Sequence, residues 1–599
     1  MVPSVVVALN AFPLLPNGKV DVRALPAPDW TGAGEEEYVA PVDDIEIAVQ
    51  SVFAEVLGRP AEEVSVLSDF FAAGGTSLQV FRAAALLQKA LHIATVPATL
   101  VHSERTARRV AAALTQLIAD GCGDENGASA APIPCNEWPD ASRPLSANQE
   151  QMWLLSSLAG ASAYNMPSAL DFFDHAPDAK LLGAALDSVA ARHEVLRTVF
   201  KRQRDGSIVG AVLSAAEFHV PVQVVQASSE EEVVREVAAE AARAFDLETE
   251  PLVRARLLVR DFSGGAGAVL ALTMHHAVGD AWSQGIFWRE LSAAYDAALN
   301  GKSPEWSPLP IQYGDYAAWQ RDQLTGASGE SLRAFWRKTL AGAPAMAQLP
   351  QDRPRPSKPT FLAGVARSSL PEGLLGKLES VARSLRVNMQ AVLLAGLQAV
   401  LLRYTGQDDL VVGVPVAGRD RQETQSLVGY FINTLPVRCV AVEGASFADM
   451  VLEASTATLA ALDHSLLPIE EVVAASGVSR VPNANPLFQV LFQYLPEGTG
   501  RATFKIGSGE AGPFSKMAGL SHAKLDLTFT VSGDTLLAEY MSELFDAPTI
   551  DRLLSSFVNL LEQLVDDSRR PALSCSLLGP RDAFEAARFS MGPERPDQR

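Results

Sequence analysis

The sequence predicts a multidomain protein in which a small all-α bundle is followed by a two-lobed α/β region. Three observations predict it. Apolar residues recur at helical spacing between Asp43 and Ala119, strand-like runs alternate with helices from Arg143 to Ser576, and 599 residues exceed what one core accommodates. Between the two parts lies "DGCGDENGASAAPIPCNEWPD", from Asp120, aperiodic and rich in Gly, Ala, Pro and acidic residues, which reads as a flexible linker.

The opening "MVPSVVVALNAF" has no positive leading region and runs directly into the turn "LLPNGKVD", so it reads as a strand of a domain that begins earlier rather than as a signal peptide. Residues 1–28 form a strand-and-turn unit leaving through the proline-rich "ALPAPDW", and 29–40 link it onward. In "DDIEIAVQSVFAEVLG", Ile45, Val49, Val52, Phe53 and Val56 fall on one helical face, with Asp43 and Asp44 opening the helix and Gly58 closing it. A second helix begins at Ser77 with Leu78, Phe81 and Leu86 facing inward, and a last one covers Thr106 to Ala119. Farther on, "AVLALTM", "DLVVGVPV", "NTLPVRCVAV" and "PLFQVLFQYL" read as strands, and Leu374 to Arg386 as one of the helices between them. This α/β region exceeds 400 residues, which implies two lobes.

The 49 basic and 70 acidic residues give a net charge of -21, which disfavours nucleic acid or an anionic membrane as partner because like charges repel. The most apolar helix, "MQAVLLAGLQAVLLRY" from Met389, is too short and too interrupted by Gln to span a bilayer. Cys122, Cys135, Cys439 and Cys575 show neither CxxC spacing nor a nearby histidine, so no metal site is expected. A reducing compartment follows from that cysteine usage, and with no targeting segment a cytoplasmic location is expected.

The first stretch with chemical content is "DFFAAGGTSLQVFRAAALLQKAL". Taken alone it is a Gly-Gly turn and a serine helix cap. The chemical alternative is that an exposed hydroxyl at a helix N-terminus suits a phosphodiester, which backbone N–H groups and the helix dipole stabilise. In a small helical bundle, "FFAAGGTSLQ" resembles the peptidyl carrier protein family, whose serine in GG(T/D/H)SL receives 4'-phosphopantetheine. The resemblance covers 41–117 and implies a four-helix carrier bundle, 4'-phosphopantetheine attached at Ser77, and a phosphopantetheinyl transferase as partner.

The second is "ALTMHHAVGDAWSQGIFWREL", from Ala271. Adjacent strand residues alternate faces, so His275 and His276 are expected to point in opposite directions, one towards a cavity and the other into packing. Asp280 stands near the start of a helix with the i, i+4 stripe Phe287, Leu291, Tyr295 and Leu299, and is placed to cap it. A lone histidine here would more often be structural; a pair with an aspartate on a strand-to-helix loop is less readily accidental. The stretch resembles the HHxxxDG signature of nonribosomal peptide synthetase condensation domains, which are related to chloramphenicol acetyltransferase. "PLSANQEQMWLL", "ARHEVLRTVF", "YGDYAAWQR", "VVGVPVAGRD", "VGYFINTLPVR", "HSLLPIEEVV" and "NPLFQVLFQY" follow the family's order across most of 143–576.

This resemblance implies a chloramphenicol-acetyltransferase-like fold with an N-lobe at 143–318 and a C-lobe at 319–576, separated from the carrier by a linker at 118–142. It implies that His276 faces a tunnel and acts on the condensing amine, that His275 is its buried partner, and that Asp280 holds the geometry through an arginine. Arg419 is the candidate arginine and Arg192 the competitor, with Asn433 of "YFINT" as a supporting residue. Two positions depart from the family. Ala281 stands where a glycine usually follows the aspartate, which could narrow the channel, and Gln151 replaces the arginine of the first motif.

"LLPNGKVDVRALPAP" is by itself a turn with a solvated charge, but before a carrier it resembles the last motif of an adenylation domain, with Lys19 as the residue that would contact an acyl-adenylate. Residues 577–599 resemble the run into a following adenylation domain. The implied function is part of a nonribosomal peptide synthetase that forms a peptide bond between a carrier-bound acyl group and the amine on a downstream carrier. Its expected partners are an upstream adenylation domain and downstream adenylation and carrier domains. The competing expectation is a catalytically silent carrier and condensation scaffold that only docks partner domains, with Ala281 and Gln151 as signs of decay. A stand-alone acyltransferase using coenzyme A thioesters fits less well, because a fused carrier would serve no purpose.

Overall fold

A computed structural model describes residues 38–579 apart from 71–72, 74–76, 92–95, 97–99, 102–103, 120–131, 160–161, 174, 263–266, 496–503, 508 and 518–522. The strand-and-turn unit with Lys19, most of the 29–40 link, the Gly74–Gly75 turn, the first half of the linker and the run from 580 onwards lie outside the described residues. The chain divides into two compact units, one ending at Ala131 and the other starting at Pro132.

In the first unit, α1 (Asp44–Leu57) is capped by Asp43, whose side chain accepts the Glu46 N–H at 2.7 Å, and is ended by Gly58 at φ +67°. That left-handed turn is one a residue with a Cβ adopts only at a cost. Helices α2 (Ser77–Leu91) and α3 (Ala107–Ala119) pack on α1, and Leu100, Val101 and Glu104 between them are also helical. Phe53 and Phe70, with ring centroids 4.7 Å apart, centre a core completed by Val80, Leu87, Val110 and Leu114. Leu86 is half-buried, and the side chains of Leu78 and Phe81 lie outside the described residues. Ion pairs Arg105–Asp69 (2.7 Å) and Arg108–Glu46 (2.8 Å) tie the start of α3 to the rest.

The second unit begins with β1 (Ser142–Arg143), α4 (Ala147–Ala159), β2 (Asn165–Phe172), α5 (Ala179–Arg192), β3 (Thr198–Arg202), β4 (Ile208–Val212), β5 (Val222–Ala227), α6 (Glu230–Ala242), β6 (Val253–Arg260), β7 (Ala268–His275) and α7 (Ala281–Leu299). It continues through α8 (Tyr313–Gln323), α9 (Gly326–Thr339), β8 (Ala363–Ser369), α10 (Leu374–Leu385), α11 (Met389–Thr405), β9 (Asp409–Val416), β10 (Asn433–Val440), α12 (Phe447–Asp463) and α13 (Ile469–Ser476). Last come β11 (Val490–Leu495), β12 (Phe504–Ile506), β13 (Gly509–Pro513), β14 (Leu527–Ser532), β15 (Thr535–Met541) and α14 (Ala547–Asp566).

Two six-stranded sheets organise these elements, in the orders β12-β13-β2-β7-β6-β5 and β10-β9-β11-β14-β15-β8, beside a small β1-β4-β3 sheet. Strand β7 is buried at every position because it lies between β2 and β6 with both faces covered, which is why "AVLALTMH" is almost continuously apolar. Pro436 is tolerated in β10 because that strand is an edge of its sheet. The stretch "PLFQVLFQYL" enters its strand only at Val490, since Leu487 takes φ +69° just after Pro486. Helix α11 is sheathed on nearly all sides by the core of the second sheet, and its closing turn ends on Gly406. Among the described residues no single helix is long and apolar enough to cross a membrane.

The sheets do not follow chain order. Residues 504–513 come after β11 of the second sheet, yet β13 pairs with β2 and extends the first. A boundary placed at 318/319 therefore leaves out a piece of the N-lobe. The predicted stripe on α7 also stops early: Phe287, Leu291 and Tyr295 are buried, whereas Leu299 is 50% exposed beyond the packed surface.

The expected linker at 118–142 is docked along its second half. Ile133 is buried, its N–H donates to Glu423 at 3.1 Å, and Asp315 Oδ1 accepts from the Asn136 backbone (3.0 Å), Asn136 Nδ2 (3.1 Å) and Trp138 Nε1 (3.1 Å). Specific hydrogen bonding to a buried carboxylate outweighs the disorder that Pro and acidic residues would otherwise favour. Replacing Asp315 by Ala should leave those donors without their acceptor and lower unfolding free energy by about 1–3 kcal/mol. Urea denaturation, with limited proteolysis showing new cleavage within 132–138, checks this.

Candidate active site

Strand β7 ends at His275, and His276 begins a 3-10 turn through Val278. The environments of the two histidines therefore differ because one closes a strand and the other opens a turn, not through strand alternation. His275 caps that turn, its Nδ1 accepting the Ala277 N–H at 3.1 Å, while its Nε2 lies 3.3 Å from Ser156 Oγ and its ring meets Phe245 edge-on. It is fully buried, and burial, followed by Lys524 and Arg254, pushes its pKa down to about 3.

His276 is half-buried, its ring edge-on to Tyr430 at 5.5 Å between centroids and its Nδ1 buried without a hydrogen-bond partner among the described residues. Its N–H donates to the Tyr164 carbonyl at 3.0 Å, which fixes the start of the turn. Burial, then the charge of Lys524 and the neighbouring His275, holds the imidazole well below its ordinary pKa. At neutral pH it is therefore uncharged, with Nε2 left as the ring nitrogen able to meet a substrate.

Asp280 caps α7 through the Ser283 N–H, which donates to Oδ1 at 2.7 Å, and its Oδ2 accepts the Phe431 N–H at 3.0 Å. Arg419 Nη2 lies 3.2 Å from Oδ1, both side chains being only 2% exposed. Arg419 also donates to the carbonyls of Thr424 and Leu427, and its guanidinium stacks 4.1 Å from the Phe431 ring centre. The Ser283 hydroxyl accepts from Arg419 Nη2 (2.8 Å) and the Gly429 N–H (3.1 Å), and can donate to one of Asp280 Oδ1 (2.7 Å) or the Gly429 carbonyl (2.8 Å) at a time. Gly429 admits no side chain, since a Cβ would come within 2.1 Å of the Tyr313 ring.

Arg192 is not part of this network. It pairs with Glu290 at 3.0 Å, donates to the Ser307 carbonyl and lies over Trp306, because the end of α5 packs on α7 well past its first turn. Asn433 acts at one remove: its Nδ2 holds the carbonyls of Ser465 and Leu467, both at 2.8 Å, fixing the loop that leads into α13. Ala281 occupies the first position of α7 with an exposed methyl, where alanine suits a helix better than glycine. Gln151 hydrogen-bonds Glu470, a carboxyl that burial raises to about 7.

Sequence reasoning missed several members of the site. Gln149 Nε2 donates to the Ala277 carbonyl at 2.9 Å and so braces the histidine turn; it stands in "SANQEQ", three residues after Ser146, whose hydroxyl accepts its N–H. Ser283 was signalled only indirectly, as the residue whose N–H a capping Asp280 accepts. Tyr430 stood in the motif "VGYFINTLPVR" but with nothing to tie it to the histidines, and Lys524 carried no signal, since only folding brings either of them there. Among the described residues no cluster of three or more His, Cys, Asp or Glu is arranged to hold a metal ion.

Arg419→Met should leave Asp280 charged and unpaired in the interior, costing about 3–5 kcal/mol, and the double change with Asp280→Asn should recover much of it. Denaturant midpoints of the four proteins in that cycle check the pairing. For Glu470, the folded chain keeps the proton to about pH 7, whereas an unperturbed carboxyl releases it near 4.5. Its contribution to stability is thus full below about 4.5 and lost as pH rises through 7, and Glu470→Gln should flatten that part of the urea-midpoint profile.

Comparison with known proteins gives the family. The condensation domain family profile matches residues 141–584 and the phosphopantetheine attachment site profile matches 48–114. The chain is 35% identical over 595 residues to a linear gramicidin synthase polypeptide of Brevibacillus parabrevis, and 33% identical over 601 residues to a dimodular nonribosomal peptide synthase of Bacillus subtilis (strain 168). These matches cover 97% of this chain but only 7% and 24% of those much longer proteins. The X-domain from teicoplanin biosynthesis superposes with a TM-score of 0.68 at 28% identity, covering 75% of this chain and all of that one. The chain belongs to the condensation domain family, and it joins such a domain to a phosphopantetheine-binding carrier domain as its nonribosomal peptide synthetase relatives do.

Proposed function

We propose that the protein carries an aminoacyl or peptidyl thioester on an arm attached at Ser77, and that its second unit transfers the acyl group to an amine to form a peptide bond. The observation that carries this reading is His276, an uncharged imidazole beside Tyr430, held by a braced turn at the end of a buried strand. Ser77 fits the 4'-phosphopantetheine that the carrier domain takes, because it is the first residue of α2 and no acidic residue follows in that first turn to repel a phosphodiester. When bound, that group supplies a thiol on which an acyl chain is held as an activated thioester.

Thioesters need no further activation to react with an amine, so the chain's task is to bring the two together in reacting geometry. His276 Nε2 accepts a hydrogen bond from the amine and orients its lone pair. Asp280 and Arg419 hold the α7 start against the 419–431 segment and act through position, not by contact with substrate. Ser156 is buried against His275 and does not offer itself as a nucleophile, which supports direct transfer without an acyl-enzyme. The partners this reading requires are a phosphopantetheinyl transferase, an upstream adenylation domain, and downstream adenylation and carrier domains.

A second reading is a docking scaffold without chemistry. It is favoured by the likeness to the X-domain from teicoplanin biosynthesis, which has also been solved in complex with OxyB. The two readings separate in one experiment. With Ser77 loaded by a phosphopantetheinyl transferase and an aminoacyl-coenzyme A, and a soluble aminoacyl thioester offered as acceptor, dipeptide mass is followed for wild type, Ser77→Ala and His276→Ala. Ser77→Ala should show no loading, and His276→Ala should load normally but lose about 10²- to 10⁴-fold in rate. A loaded wild type that makes no product with any of several acceptors would leave the scaffold reading in place.

A further inference from the structure

Lys524 stands just ahead of β14, in the chain that forms the second sheet, and its Nζ lies 5.4 Å above the ring centre of Tyr164, which precedes β2 in the first. Its backbone is held through its carbonyl and through its described neighbours. The Lys524 carbonyl accepts from Asn485 Nδ2 at 2.9 Å, the Ala523 N–H donates to the Phe361 carbonyl at 3.0 Å, the Leu527 N–H donates to the Gln489 carbonyl at 3.2 Å, and the buried Asp526 pairs with the half-buried Arg355. The cationic side chain thus lies over the ring of the residue whose carbonyl accepts the first N–H of the His276 turn.

The arrangement is costly as it stands. The charged groups around Lys524 offer little compensation: His275 and His276 face it as groups whose protonation it opposes, Tyr164 offers a ring face, and Glu539 is the carboxylate that acts on it. Burial lowers the ammonium's pKa to about 8, so it remains mostly charged at pH 7. A cation held in a low-dielectric interior is what a reaction that develops negative charge requires.

We propose that the Lys524 ammonium receives the carbonyl oxygen of the acyl thioester opposite His276, a catalytic role that rests on the peptide-bond-forming reading. As the amine nitrogen attacks, the N–C bond forms and the carbonyl electron pair moves onto oxygen, beside the ammonium. When the carbonyl re-forms, the C–S bond breaks and sulfur leaves as thiolate, which ends as the free thiol by taking the proton lost from the amine. Burial first and this cation second hold His276 below its ordinary pKa, and the imidazole orients the amine without storing its proton.

The test compares wild type, Lys524→Met and Lys524→Arg in two measurements on the full chain. In NMR titrations of histidine-labelled protein, with His276 assigned by its loss in His276→Ala, the imidazole pKa should rise in Lys524→Met and stay near wild type in Lys524→Arg. This readout needs no turnover. In the dipeptide assay, Lys524→Met should lower kcat about 10²- to 10³-fold with little change in KM, and Lys524→Arg should restore part of it. An unmoved imidazole pKa, a Lys524→Met kcat within about twofold of wild type, or an effect on KM alone would overturn the role of Lys524 while leaving peptide-bond formation standing. An inactive wild type overturns both.

Discussion

The buried pair of Asp280 and Arg419 is the constraint on which the rest of the second unit depends. One carboxylate caps α7, receives the Phe431 N–H and meets the Arg419 guanidinium, so the start of α7 and the distant 419–431 segment are fixed to one point. Neither ion could remain charged there alone, because removing an ion from water costs several kcal/mol unless its partners are in place. Arg419 meets that condition through two carbonyls, a hydroxyl and the face of Phe431 as well as through Asp280. The pair is better read as a device for geometry than as a source of stability, since well-packed apolar residues can do as well energetically.

What the pair holds is the loop carrying His276. The turn begins one residue after a strand buried at every position, is capped by His275 from within and is braced by Gln149 from α4. Little freedom is left to the backbone that carries the imidazole, which is the property that orienting a nucleophile demands. The same burial that fixes the two rings also removes their charge, and it reaches them from two sides, through apolar packing and through the cation of Lys524.

The two sheets are joined by exchange of chain more than by a flat interface. Strands β12 and β13 leave the second sheet's sequence to extend the first, and the 419–431 segment leaves β9 to lie against α7. Leu427, Val428 and Phe431 are accordingly members of the first lobe's core. A site assembled at such a crossing draws residues from both halves, which accounts for its polar groups coming from sequence positions as distant as Gln149 and Lys524.

The sequence by itself determined the helices around Val49–Val56 and Ser77, several of the central strands, the end of the histidine strand and the cap at Asp280. Each is written in local pattern: the period of Val49, Val52, Phe53 and Val56, the apolar run of β7, and the aspartate ahead of an amphipathic helix. The partnership of Asp280 with Arg419 and not Arg192 was decided only by tertiary structure, because both arginines have suitable neighbours in sequence and only the 419–431 crossover brings one of them to α7. The docking of 132–138 was hidden for the same reason: its acceptor, Asp315, lies 177 residues beyond Trp138, and composition cannot register a partner at that distance. Lys524 carries no local signal at all, and the motif that holds Tyr430 does not reveal its neighbour. Hydrogen bonds and fields act through space, whereas periodicity records only what a residue's near neighbours require.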